Sequence, residues 1–158
     1  MEFLVKEHIN ILNLLVEAEV DFMLIGGYSV IYYGYSRGTN DLDLWIKPDN
    51  ANRTKLLHAL QKYGINPVDL KKLEMVDFEL TNMFFIGEAP YKVDFLTRVM
   101  GVSWDDGIKK VKFLPVRNLK IPVVGYYDLI TMKMLSDRLK DKADVEELQK
   151  INQFRKNP

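Results

Sequence analysis

The stretch Thr39-Asn40-Asp41-Leu42-Asp43-Leu44-Trp45-Ile46 alternates polar and apolar residues through Leu44, the period of a half-buried strand. Side chains on a strand point to opposite faces in turn, so Asp41 and Asp43 emerge together while Leu42 and Leu44 face a core. Pro48 and Asp49-Asn50 end the run. Carboxylates ~7 Å apart on one strand face repel each other, and no lysine follows immediately to neutralise them. A hard divalent cation between them offsets that repulsion, because magnesium prefers oxygen ligands and keeps waters.

Working outward, Val93-Asp94-Phe95 repeats the pattern, an acid between two apolar residues in the strand-like run Tyr91 to Leu96. If that strand lies beside the first, Asp41, Asp43 and Asp94 converge on one side of a sheet. One of two metals could then polarise an attacking hydroxyl while both hold a triphosphate. An Asp-x-Asp spacing alone is common on half-exposed strands. The joint pattern carries the reading, because both fragments interrupt apolar strands and a double glycine precedes them.

That double glycine, Gly26-Gly27, follows the apolar run Asp21 to Ile25 and reads as strand, tight turn, then a helix from near Ser29. Glycines let backbone N–H groups approach an anion closely, and Ser29 could add a hydroxyl or cap the helix. A plain strand-to-helix turn explains the same residues. Neither the Walker pattern nor the three-glycine dinucleotide fingerprint is present. Between turn and acids, Arg37 could reach a triphosphate or lock an acid of the pair, and Thr39 could bond to backbone. The tyrosines Tyr28, Tyr32, Tyr33 and Tyr35 could stack on a base or mark a partner surface. Alternation puts Trp45 on the Asp43 side, where it could border the cleft or simply be an ordinary amphipathic aromatic.

Together, Gly26-Gly27-Tyr28-Ser29, Arg37-Gly38-Thr39-Asn40-Asp41-Leu42-Asp43-Leu44 and Val93-Asp94-Phe95-Leu96 resemble the DNA polymerase beta-like nucleotidyltransferases. Within that superfamily they are most similar to the AbiEii-type toxins and minimal nucleotidyltransferases. The late segment Asp128 to Lys133, continuing through Arg138, Lys140, Asp141 and Asp144, resembles the helical segment of those proteins. The resemblance runs from residue 21 to 148. It implies an α/β (α+β) nucleotidyltransferase fold, a mixed sheet flanked by helices with further helices at the C-terminal side. The implied activity is transfer of a nucleoside monophosphate from an NTP to an acceptor hydroxyl, releasing pyrophosphate, with Mg²⁺ or Mn²⁺. By the same resemblance Asp41 and Asp43 ligate both metals, while Asp94 ligates the catalytic one and helps activate the acceptor. The backbone of Gly26 and Gly27, with Ser29, cradles phosphates, and Lys133 approaches the triphosphate. Lys133 and Asp137, four apart, could pair across one helical turn, and Arg138, Asp141 and Asp144 could hold the helices together.

The acceptor stays open between RNA, protein and small molecule. The rival reading is a non-catalytic nucleotide- or protein-binding member of the same fold, one half of a toxin–antitoxin pair among its forms. A metal-dependent phosphohydrolase lacks the histidine–aspartate constellation it needs, and His8 and His58 are isolated. A homodimer or a small protein partner is compatible with the chain.

The remaining pattern fills in one domain over residues 1–158. Amphipathic spacing predicts a helix from Glu2 to Glu19, and others over Arg53 to Tyr63, Tyr126 to Lys140 and Asp141 to Phe154. Phe78 to Ile86 and Tyr91 to Leu96 read as a hairpin; Val111 to Leu114 and Asn118 to Val124 read as short edge segments. Residues 65 to 77 lack a period, and Trp104-Asp105-Asp106-Gly107 reads as a turn. The chain has 158 residues, no cysteine, and 22 basic against 22 acidic side chains. Absence of cysteine excludes thiolate chemistry and suits a reducing cytoplasm. Zero net charge argues against a broad grip on nucleic acid. No apolar run approaches the ~20 residues of a membrane span, and the first residues are not a signal peptide.

Overall fold

The computed structural model describes residues 3–158, so Glu2, where the amphipathic spacing begins, lies outside the described residues. Six strands form one mixed sheet in the order β3-β4-β2-β1-β6-β5. They are β1 (Phe22–Ile25), β2 (Asp41–Ile46), β3 (Met83–Ile86), β4 (Lys92–Leu96), β5 (Lys112–Val116) and β6 (Leu119–Val123). The helices are α1 (Lys6–Glu17), α2 (Gly26–Tyr32), α3 (Asn50–Tyr63), α4 (Pro67–Glu74), α5 (Trp104–Gly107), α6 (Tyr126–Met134) and α7 (Leu139–Lys156). This is the mixed α/β arrangement of the nucleotidyltransferase fold, with α6 and α7 as its C-terminal helices.

The alternation in β2 sorts its side chains between two apolar layers. Leu42, Leu44 and Ile46 are fully buried with Phe22, Leu24, Val93 and Phe95 against α1 and α3. Trp45 points to the other face and joins Met23, Ile25, Trp104, Leu129 and Leu148. Each fully buried leucine contributes roughly 1.5–3 kcal/mol. A one-residue slip of β2 would turn Leu42 and Leu44 outward and drive Asp41 and Asp43 into the core, so the register is strongly specified. β2 pairs antiparallel with β1 and parallel with β4, and β3 closes the hairpin with β4.

Local chemistry explains where the elements depart from the sequence pattern. α2 starts at Gly26 itself, three residues before Ser29. α4 occupies part of the aperiodic stretch: Asn66 accepts from the Asp69 N–H and Pro67 fills the first turn, where its missing N–H costs nothing. Asp49 caps α3 in the same way, and Gly64 ends it in the left-handed region at φ 104°. Phe78 is buried, but in a turn; the strand begins only at Met83. β5 is an edge, whereas β6 is interior, between β5 and β1. Pro122 is tolerated there because β6 and β1 share only the Leu24–Val123 register position. The helix from Tyr126 stops at Met134, where Ser136 turns its hydroxyl onto Asp141 at 2.6 Å and α7 starts afresh. Trp104–Gly107 is one helical turn capped by Ser103, not a plain turn. No helix among the described residues is long and apolar enough to cross a membrane.

Candidate active site

β2 and β4 run parallel with Asp43 beside Asp94 and Asp41 beside Lys92. Asp41, Asp43, Lys92 and Asp94 therefore share one sheet face, on the floor of a cleft of ≈ 580 Å³ between the sheet and α6. The size suits a small-molecule site. Gly26 and Gly27 form one wall, and Lys133, Arg138 and Asp141 another.

The glycines are required by the acid beneath them. Gly26 has φ 65°, and a Cβ there would lie inside the Asp43 carboxylate. A Cβ on Gly27 would overlap the Thr39 side chain. The Gly27 backbone favours the charged form of Asp43, and Thr39 donates to the Asp41 carbonyl at 3.3 Å. Burial, then the charges of Asp94 and Asp41, push the Asp43 carboxyl up to about 6. Gly26→Ala is expected to displace Asp43 and destabilise the fold by about 1–3 kcal/mol through backbone strain. Gly38→Ala should be near-neutral, since nothing lies within 4 Å of its added carbon. Thermal melts of the two variants check the contrast.

The second wall is a buried ionic network. Lys133 on α6 donates to Asp141 at 2.7 Å and pairs with Asp144 at 2.8 Å, both on α7. The expected partner Asp137 lies beyond the end of α6, so the helical spacing does not apply. Arg37 grips Asp144 with two nitrogens at 2.7 and 2.8 Å. It thus locks an acid, but one on α7 rather than Asp41 or Asp43. Arg138 reaches Asp141 at 2.8 Å. Burial alone would raise the Asp141 carboxyl; hydrogen bonds from Lys133, Ser136 and Arg138 outweigh it and hold it down at about 2.

Ser29 is fully buried and donates to the Gly26 carbonyl at 2.7 Å. It braces the turn from behind and is not part of the cleft lining. Trp45 sits on the Asp43 face but is covered edge-on by Trp104, with Gly107 packed against its ring. None of Tyr28, Tyr32, Tyr33 and Tyr35 lines the cleft. Tyr28 bonds to the buried His8 at 2.9 Å, and Tyr33 donates to the Val124 carbonyl at 2.7 Å. The tyrosines pack α2 onto its neighbours. Sequence reading missed Lys92, whose ammonium lies 2.9 Å from Asp94. The signal was Lys92-Val93-Asp94: the neutralising lysine comes from the neighbouring strand, on the alternation that marks Asp94.

Three carboxylates are hard oxygen donors of the kind magnesium and manganese take, and the Cβ-free turn at Gly26 makes room for the Asp43 carboxylate on the cleft floor. Among the described residues, no three acid or imidazole side chains are already gathered closely enough to hold an ion. Donor chemistry fits a divalent cation; the side chains would have to draw together on it.

Comparison with known proteins gives the family. A search of curated proteins finds no significant match. Among solved structures, the chain is similar to the lincosamide antibiotic adenylyltransferase LnuA with lincomycin bound. The TM-score is 0.56 at 18% identity, covering 94% of this chain and 98% of that one. At that identity the likeness concerns the fold. A candidate nucleotidyltransferase from Thermotoga maritima aligns with a TM-score of 0.47 and 15% identity over 94% of this chain and 88% of its own. Residues 3–155 match the family described as "Nucleotidyltransferase of unknown function (DUF6036)". With nearly the whole length matched, the chain belongs to that nucleotidyltransferase family.

Proposed function

We propose that the protein transfers a nucleoside monophosphate from an NTP to an acceptor hydroxyl, with Asp41, Asp43 and Asp94 as ligands of Mg²⁺ or Mn²⁺. The observation that supports this most is the parallel register that sets Asp43 beside Asp94, with Asp41 on the same face of the cleft floor. In the reaction the acceptor oxygen bonds to the α-phosphorus, the bridge to the β-phosphate breaks, and pyrophosphate leaves. A divalent cation on the acids supplies charge neutralisation at the triphosphate and lowers the pKa of the attacking hydroxyl. Asp94, beside Asp43 and nearer the sheet edge, faces the acceptor side and helps withdraw the hydroxyl proton. The backbone at Gly26 and Gly27 lets phosphate oxygens approach closely, with Ser29 holding that turn. Lys133 offsets charge on the leaving pyrophosphate, and Arg37 holds the second wall through Asp144.

A second reading has one observation behind it. The Lys92–Asp94 pair neutralises part of the acid cluster without any metal, as a purely nucleotide- or protein-binding member of the fold would allow, including one half of a toxin–antitoxin pair. Incubation with each α-labelled NTP, Mg²⁺ or Mn²⁺, and RNA, protein and small-molecule extracts separates the two. Transfer predicts label on an acceptor, with pyrophosphate, lost in Asp41→Asn/Asp43→Asn. Metal-dependent nucleotide binding without label in any fraction would favour the binding reading.

A further inference from the structure

Lys92 opens β4 and lies beside Asp41 in the β2–β4 register. Its ammonium is 2.9 Å from one Asp94 oxygen and 3.2 Å from the other. The same nitrogen stands 4.8 Å from the centre of the Phe85 ring, which neighbours Asp94 across the β3–β4 hairpin. Asp94 is 5% exposed, whereas the Lys92 side chain keeps 28% of its surface. A buried carboxylate is thus held by a cation free to withdraw without disturbing the core. Lys92 lies against both Asp94 oxygens, so a divalent cation arriving on that carboxylate meets its ammonium as a competing like charge.

We infer that Lys92 is the internal counter-cation of the acid cluster and must be displaced from Asp94 when a divalent cation enters, so that this side chain sets the affinity of the site for metal. The inference rests on the proposed reading of Asp41, Asp43 and Asp94 as metal ligands. Displacement is a swing of one half-exposed side chain toward solvent, along a ring that already faces its charge. Lys92 is accordingly a positioning residue: it holds Asp94 and keeps the acids from repelling one another until the metal replaces it.

The test is Mn²⁺ binding, followed by electron paramagnetic resonance on the full chain without nucleotide. Lys92→Met, with Lys92→Gln as a second neutral variant, should lower the Mn²⁺ dissociation constant about tenfold at low salt, with the gap narrowing as KCl screens it. Lys92→Arg, which keeps the charge, should bind as the native chain does. Lys110→Met makes the same change in net charge outside the cleft lining and should also leave affinity unaltered. Neutral variants that match the native affinity overturn the inference, as does an equal, salt-independent shift in Lys92→Arg. Asp43→Asn, titrated alongside, keeps the two failures apart. If it loses Mn²⁺ while the Lys92 variants bind like the native chain, only the role of the lysine falls. If it binds Mn²⁺ as the native chain does, or no protein binds Mn²⁺, the ligand assignment falls and the inference with it.

Discussion

Asp43→Asn is expected to lower nucleotidyl transfer by about 10³-fold or more while making the protein harder to melt. The two effects have one cause. Asp43 is half-buried beside two other acids; desolvation first, and then the charges of Asp94 and Asp41, push its carboxyl up to about 6. Its charge therefore opposes folding, and asparagine keeps the shape without the charge. The sign follows from linkage: a carboxyl raised in the fold costs stability above its folded value and costs nothing below its unfolded one. The shift from 3.8 to about 6 corresponds to about 2 kcal/mol, discounted for partial exposure and coupling. In EDTA the native protein should gain stability relative to Asp43→Asn as pH falls from 7 toward 4.5, against a loss common to both from His8, whose buried imidazole is held below its usual value. Asp43→Asn should start higher, and the gap between the two should close over that window. Asp141, held down at about 2, adds stability that is lost only as pH falls through 3.8 toward 2, so it does not blur this window. Melting curves across pH, with the labelled-NTP assay on the same preparations, check both halves.

Asp144→Ala is expected to do the opposite to stability, at a cost of about 3–5 kcal/mol. Asp144 is 1% exposed and receives both Arg37 and Lys133. Removing it leaves the partly buried Arg37 with only the Gly38 carbonyl and Lys133 with Asp141 alone, so one cation loses its counter-charge and a second loses one of two. Those contacts also join the loop before β2 to α6 and α7, the two sides of the cleft. The melting temperature should fall by about 10 °C, and residual transfer should drop because Lys133 and Arg37 lose their orientation. Arg138→Ala, by contrast, removes a side chain that is mostly in solvent and should cost less than about 1 kcal/mol. Calorimetry of the two variants measures the difference. Two aspartates, Asp43 on the cleft floor and Asp144 buried behind its second wall, thus carry opposite signs, one sustained against folding and one holding it together.

The acids were legible because β2 and β4 each mix a strong apolar period with a charge that breaks it. Alternation fixed the faces, and it correctly put Leu42 and Leu44 in the core and Asp41 and Asp43 on the open side. That the strands are parallel neighbours, with Asp43 level with Asp94, is a long-range fact that no local pattern contains. Lys92 was missed although its acid, Asp94, stands two residues along the same strand, because a neutralising cation was expected only beside Asp41 and Asp43. Trp45 was placed on the right face, but that it is covered there could not be read locally, since Trp104 arrives from 59 residues along the chain. The tyrosine cluster suggested ligand stacking because aromatic density looks alike in a binding wall and a helix–sheet seam. α4 escaped because only Asn66-Pro67 announces it, and a capped helix of 8 residues has too few turns to show a period.

The most direct test of the acid cluster as the reacting centre is a crystal structure with Mn²⁺ and a non-hydrolysable NTP analogue, read by anomalous scattering. The account predicts an anomalous peak within about 2.0–2.3 Å of oxygens from Asp41, Asp43 and Asp94, with the phosphates against Gly26 and Gly27 and near Lys133. A nucleotide bound elsewhere, or in the cleft with no metal on the three acids, would contradict it.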